Sequence, residues 1–143
     1  MSSKVIGKTA THIRCNCQKL AAIIVVAFVM SFPACDWFRD FNFERGAKLT
    51  GGDPQMGRKQ LGMHSCVSCH VIPGVPKADG TKGPSLEHWY RRRTFLNTYP
   101  NTPENMEKWL ARPSHRKPGT TMPDLNVSAQ ESRDMTAYLF SIN

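Results

Sequence analysis

Cys66-Val67-Ser68-Cys69-His70 decides the reading of this chain. Two thiols three positions apart lie on one turn, and a histidine follows them. That is the spacing of c-type haem attachment: each thiol adds across one vinyl group, and the His70 imidazole is left to ligate the iron. Other uses of a C-x-x-C pair fit less well. No second C-x-x-C or histidine cluster completes a four-ligand zinc site. The flanks lack the βαβ pattern that surrounds a thioredoxin-type redox pair. One haem c, covalent through Cys66 and Cys69, is therefore expected.

A second ligand is read from Pro118-Gly119-Thr120-Thr121-Met122-Pro123-Asp124-Leu125. The prolines and glycine exclude a helix, and the loop carries one large soft side chain. A thioether is a neutral, polarisable ligand that suits ferrous iron and raises a haem's potential. Methionines more often fill core gaps. Met106 and Met135 sit at helical core spacing, and Met56 and Met63 flank the helix before the haem motif, whereas Met122 is pinned between prolines. Met122 is the expected sixth ligand. A bis-histidine haem through His64, His88 or His115 is the competing arrangement.

With these residues in order the chain resembles the class I monohaem cytochromes c, and among them the small cytochromes and fused c-domains associated with terminal oxidases. The resemblance runs over about residues 42–143. It includes Ile72-Pro73-Gly74-Val75-Pro76, Gly83-Pro84-Ser85-Leu86, Pro100-Asn101-Thr102-Pro103-Glu104-Asn105, and Arg133-Asp134 followed by Ala137-Tyr138-Leu139. It implies an all-α class I cytochrome c fold, with three to four helices wrapped around one covalently bound haem. It further implies that the Pro84 carbonyl accepts from His70, that Trp109 donates to a haem propionate, and that Tyr138 meets Gly57 at a helix crossing.

Local signals place the helices in a domain over 53–143. Asp53 reads as an N-cap with Pro54 at N1, starting the helix that leads into the haem motif. Ser85 is expected to cap a helix from Leu86 to Phe95 carrying Trp89 and Tyr90. Thr102 and Pro103 start another, with Met106, Trp109 and Leu110 on one face until Pro113. Ser128-x-x-Glu131 is a capping box, followed by Met135, Tyr138, Leu139 and Ile142 at core spacing.

Residues 1–34 read as an export leader. Lys4, Lys8, Arg14 and Lys19 precede an uninterrupted apolar run from Leu20 to Met30, short of the roughly 20 residues that span a bilayer. Cys15 and Cys17 fall inside it and have no expected mature role. Cys35, just after Ala34, is a lipidation candidate; once modified it leaves no free thiol beside the haem-bound pair. Residues 35–52 then read as anchor and tether, with their aromatics either strapped on the domain or lying at lipid headgroups. The expected location is the periplasmic face of a bacterial inner membrane, lipid- or signal-anchored, with a soluble periplasmic protein as the alternative.

The chain carries a net charge of +8, but residues 35–143 hold 15 of the 19 basic residues against all 11 acidic ones, or +4. That modest excess gives nucleic-acid binding little support. Arg91, Arg92 and Arg93 form the densest cluster and are a docking candidate for an acidic partner. A solvated face, or one arginine on a propionate, is the alternative. With both axial positions filled, the iron has no place for a small-molecule substrate, so an electron carrier rather than an enzyme is expected. The resemblance suggests a quinol–cytochrome c reductase as donor and a haem–copper oxidase as acceptor. The alternatives are a ligand-binding or peroxidase-like haem protein with labile Met122, or a haem relay subunit of a larger redox complex.

Overall fold

The computed structural model describes residues 34–142, with side chains from residue 42 onward. The export leader with Cys15 and Cys17 lies outside the described residues, as does the side chain of Cys35. From Phe38 onward the chain forms one unit. Its helices are α1 (Ala34–Thr50), α2 (Pro54–Met63), α3 (Pro103–Ala111), α4 (Pro113–Arg116) and α5 (Ala129–Ser141). Single 3₁₀ turns occupy Cys66–Ser68 and Trp89–Arg91. A small antiparallel hairpin pairs β1 (Thr94–Phe95) with β2 (Tyr99–Pro100). The fold is mostly helical.

Each of the longer helices after α1 starts where a short polar side chain satisfies free amides. The Asp53 carboxylate accepts from the Gln55 and Met56 amides at 2.8 and 3.2 Å, with Pro54 in the first turn of α2. Thr102 caps α3 through the Asn105 amide at 3.3 Å. At α5 the capping box is complete: the Ser128 hydroxyl accepts from the Glu131 amide, and the Glu131 carboxylate accepts from the Ser128 amide. The core is then built from Leu61 on α2, Met106, Trp109 and Leu110 on α3, and Met135, Tyr138 and Leu139 on α5.

At the crossing of α2 and α5 the two backbones touch. A Cβ at Gly57 would overlap the Asp134 carbonyl, so only glycine allows this approach. The nearest neighbours of Gly57 on α5 are thus the backbone of Asp134 and Met135, while the resemblance implied Tyr138. Tyr138 lies one turn further on, donates to the Pro73 carbonyl at 2.6 Å, and stands edge-on to Phe43. The buried Asp134 carboxylate accepts from the Asp53 amide at 2.8 Å and from Gln130 at 2.8 Å, which ties the start of α2 to the same place.

Two expectations about local structure are corrected. The expectation for residues 35–52 is a tether, with a strap packed on the domain as the alternative; α1 runs through them, and from Phe43 onward it is the strap, its second half packing on α5. A Cβ at Gly46 would overlap the Ala137 carbonyl, and one at Gly52 would come within 2.6 Å of the Arg133 carbonyl. Arg45 donates to the Phe140 and Ser141 carbonyls at 3.4 and 3.2 Å, capping the end of α5, and its guanidinium stands 4.2 Å over Tyr90. The second correction concerns Leu86 to Phe95, which forms one 3₁₀ turn and a strand instead of a helix. Side chains take the carbonyls that a helix would use. Arg92 donates to Ser85 and Glu87, and Asn101 donates to Trp89 and Arg92. His88, at φ 52°, breaks the helical path.

Substituting Gly57 with Ala should lower stability by about 3 kcal/mol, because a backbone has to move to admit the methyl. Gly62→Ala is the control: its Cβ would meet only a Val75 methyl at 3.8 Å. It should stabilise by about 0.5–1 kcal/mol through reduced unfolded-state entropy. Urea unfolding separates the two. The acid limb of stability gives a further test. Hydrogen bonds from Ser128, then from His64, hold Glu131 below its ordinary carboxylate value. Its contribution is thus fully present above the unfolded-state value and is lost as pH falls through the folded one. Glu131→Gln should flatten that limb, and the two proteins should converge at the lowest pH.

Candidate haem site

Beyond α2 the chain turns at Ser65, in the left-handed region at φ 61°, and enters the Cys66–Ser68 turn. Hydrogen bonds from the Cys69 and His70 amides to the Cys66 carbonyl, at 3.2 and 3.0 Å, hold that turn closed. Cys66, Cys69 and His70 thereby line a cavity of roughly 640 Å³. This lies inside the range of about 300–1,000 Å³ usual for cofactor pockets. The other lining side chains come from α2, α3, α5, the 82–97 segment and the loop that carries Met122.

Burial pushes the Cys66 thiol up to about 11, and the neighbouring Cys69 adds to the rise. A thiol kept protonated at neutral pH is a poor nucleophile for disulfide exchange. Among the described residues no group of three His, Cys, Asp or Glu is placed to hold a metal ion.

His70 is oriented from behind. Its Nδ1–H donates to the Pro84 carbonyl at 2.7 Å, which leaves the Nε2 lone pair for a metal. Gly83 makes that possible: a Cβ there would overlap the imidazole, and its amide donates to the Cys69 carbonyl at 2.7 Å. Met122 is half-buried in the same cavity, its amide donating to Thr120 Oγ1 at 3.2 Å. Of the competing histidines, His64 lines the cavity but bonds Glu131 at 3.1 Å, while His88 and His115 are exposed and do not line it.

Trp109 lines the cavity and packs edge-on against Phe95. A second indole, read from the sequence only as a helix residue, is Trp89. It is 4% exposed, lines the cavity, and its Nε1–H finds no acceptor among the described residues. A buried donor without a partner is rare and marks a place for an outside acceptor. Leu86 and Trp89 at i, i+3 signal a buried face, but spacing does not distinguish a packed indole from one facing a cofactor. Arg92 lies 4.8 Å over the Trp89 ring and lines the same cavity, together with Lys82 and Lys117; no carboxylate side chain lines it. The arginine run is thus divided, with Arg92 tied into the site and Arg91 and Arg93 exposed.

The family model for cytochrome c matches residues 54–143. The chain belongs to the cytochrome c family. It is also similar to cytochrome c oxidase subunit 2 of Bacillus sp. (strain PS3), with 28% identity over 82 residues. That match covers 54% of this chain and 23% of the relative, so the chain spans under a quarter of that protein's length. No solved structure matches the chain.

Family membership implies covalently bound haem c and haem-based electron transfer rather than enzymatic turnover. The residues present fit that group: paired thiols, an oriented imidazole, a thioether, an unsatisfied indole N–H and a cation-lined wall. When bound, the haem supplies an iron that cycles between ferric and ferrous states. Cys66 and Cys69 are the residues that would hold it, each thiol adding across one vinyl group so that sulfur would bond one carbon and the hydrogen would go to the other. Gly83→Ala should sharply lower haem content per protein, read by pyridine haemochrome absorbance, while the Gly62→Ala control retains it.

Proposed function

We propose that this chain carries one electron at a time on a single haem c, with His70 and Met122 as axial ligands. The observation that carries this reading is the His70 ring: its Nδ1 is committed to Pro84, which frees the other nitrogen, and His70 and Met122 line the same cavity. His64 is occupied by Glu131, and the remaining histidines of the described residues stand outside. With both axial positions filled by the chain, the iron gains or loses one electron and no bond to substrate forms or breaks. A neutral thioether favours the ferrous state and so a high potential.

The same reading makes the chain a membrane-associated carrier in a bacterial respiratory chain, moving electrons from a quinol–cytochrome c reductase towards a terminal oxidase. The likeness to an oxidase subunit supports the acceptor. Lys82 and Lys117 at the cavity, with exposed Arg91 and Arg93, supply the charge that would steer an acidic partner to the haem. Among the described residues no helix is long and apolar enough to cross a membrane. Attachment at the periplasmic face therefore rests on the leader and on lipidation of Cys35, which stands in the first turn of α1.

Ferric absorption with a redox titration tests the ligand set. The wild-type protein should be low-spin with a methionine–iron charge-transfer band. Met122→Ala should lose the band, lower the potential and bind imidazole or carbon monoxide. A high-spin wild type that binds carbon monoxide readily contradicts the carrier reading. A low-spin spectrum unchanged in Met122→Ala contradicts methionine ligation.

A further inference from the structure

Helix α4 begins without a cap of its own: Arg112, at its N-cap position, makes no side-chain hydrogen bond to it. The missing acceptor comes from ten residues downstream. Asp124 Oδ1 accepts from the Ser114 amide at 3.0 Å, and Oδ2 accepts from the Ser114 hydroxyl at 2.6 Å. Both oxygens of one carboxylate are committed to one residue, and the chain between them closes into a loop that contains Met122.

The two stems of that loop are held differently. On the incoming side, the Tyr99 hydroxyl donates to the Arg116 carbonyl at 3.0 Å. The Arg116 guanidinium lies 4.4 Å over the Tyr99 ring and donates to Asn105 at 3.0 Å. This stem is therefore fixed to β2 and α3. Hydrogen bonds inside the loop, from the Thr120 amide to Lys117 and from the Met122 amide to Thr120, shape its tip without attaching it to the domain. On the outgoing side, Leu125 is only partly buried against the core. The polar attachment there is Asp124 on Ser114.

We propose that Asp124 is a positioning residue for the axial methionine: through Ser114 it holds the outgoing stem closed, keeps the Met122 thioether at the iron, and sets how readily another ligand displaces it. This rests on Met122 being that ligand. A weak neutral ligand on a loop open at one stem would bear an ordering cost whenever it rebinds. A stem closed in advance removes most of that cost.

The test uses ferric holoprotein, with imidazole as the competing ligand and the methionine–iron band as the spectroscopic readout. Loss of a hydrogen bond of ordinary net strength corresponds to about tenfold in an equilibrium constant. Asp124→Ala, which loses both bonds, should therefore raise imidazole affinity more than about tenfold and weaken the band, and Ser114→Ala, which loses one, should raise it about tenfold. Asp124→Asn keeps an oxygen for the Ser114 amide and an N–H for its hydroxyl, so it should stay within about twofold of wild type. Equal changes in Asn and Ala variants would show that the carboxylate acts by charge, and would overturn the proposal. So would an Asp124→Ala protein indistinguishable from wild type. If Asp124→Ala does not mature, Ser114→Ala against wild type decides alone. Met122→Ala separates the two readings. If it leaves both band and affinity unchanged, methionine ligation and the positioning role fall together; if it changes them while the Asp124 and Ser114 variants do not, only the positioning role falls.

Discussion

The contact of Gly57 with the Asp134 carbonyl is the constraint on which the other elements depend. Without side chains between them, α2 and α5 meet at backbone distance, where dispersion contacts are densest and the geometry has little slack. Gly52 and Gly46 continue the same approach along α5, against Arg133 and Ala137. The Asp134 carboxylate adds a directional bond to the Asp53 amide, so α2 is fixed at its start as well as its middle. The last turn of α2 delivers Cys66, and α5 contributes Leu139 to the cavity wall. A shift at the crossing would therefore be felt directly at the site where the haem is attached.

Between the helices the cavity is lined by irregular chain, yet that chain is held by aimed hydrogen bonds. Arg58 donates to the Gly74 carbonyl at 2.6 Å and Tyr138 to that of Pro73, which sets the loop beyond His70. Arg92 and Asn101 do the same for the segment around Trp89. Irregular backbone suits such a site because a single carbonyl, that of Pro84, can be turned onto an imidazole. In a helix interior it would be committed to its own ladder. The cost is many specific side-chain bonds, and these are the parts that periodicity cannot reveal.

The legible features were the local ones. Asp53, Thr102 and Ser128 cap helices because a cap involves residues two or three apart, and the C-x-x-C-H turn is equally short-range. The family resemblance carried the Pro84 contact and the helical character of the domain. Long-range pairings were less legible. Gly57 marked a close approach, but its spacing did not say which turn of α5 it meets. The Leu86–Phe95 segment looked helical because the competing donors, above all Asn101, lie elsewhere in the chain. Residues 35–52 could be read as tether or strap because α1 attaches through Phe43, Arg45 and Gly46 rather than through a continuous apolar stripe. The closure of the methionine loop by Asp124 was invisible for the same reason: its partner is ten residues away and polar.

The central claim of the proposed function is an iron that the protein itself would coordinate on both faces, by the imidazole of His70, oriented by Pro84, and the thioether of Met122. Proton NMR of the ferrous holoprotein tests that claim most directly, because the porphyrin ring current shifts the methyl of an axial methionine far upfield of every other resonance. The account predicts one such methyl, belonging to Met122 by selective labelling. A spectrum with no methyl in that region, or with one belonging to another of the methionines, would contradict it.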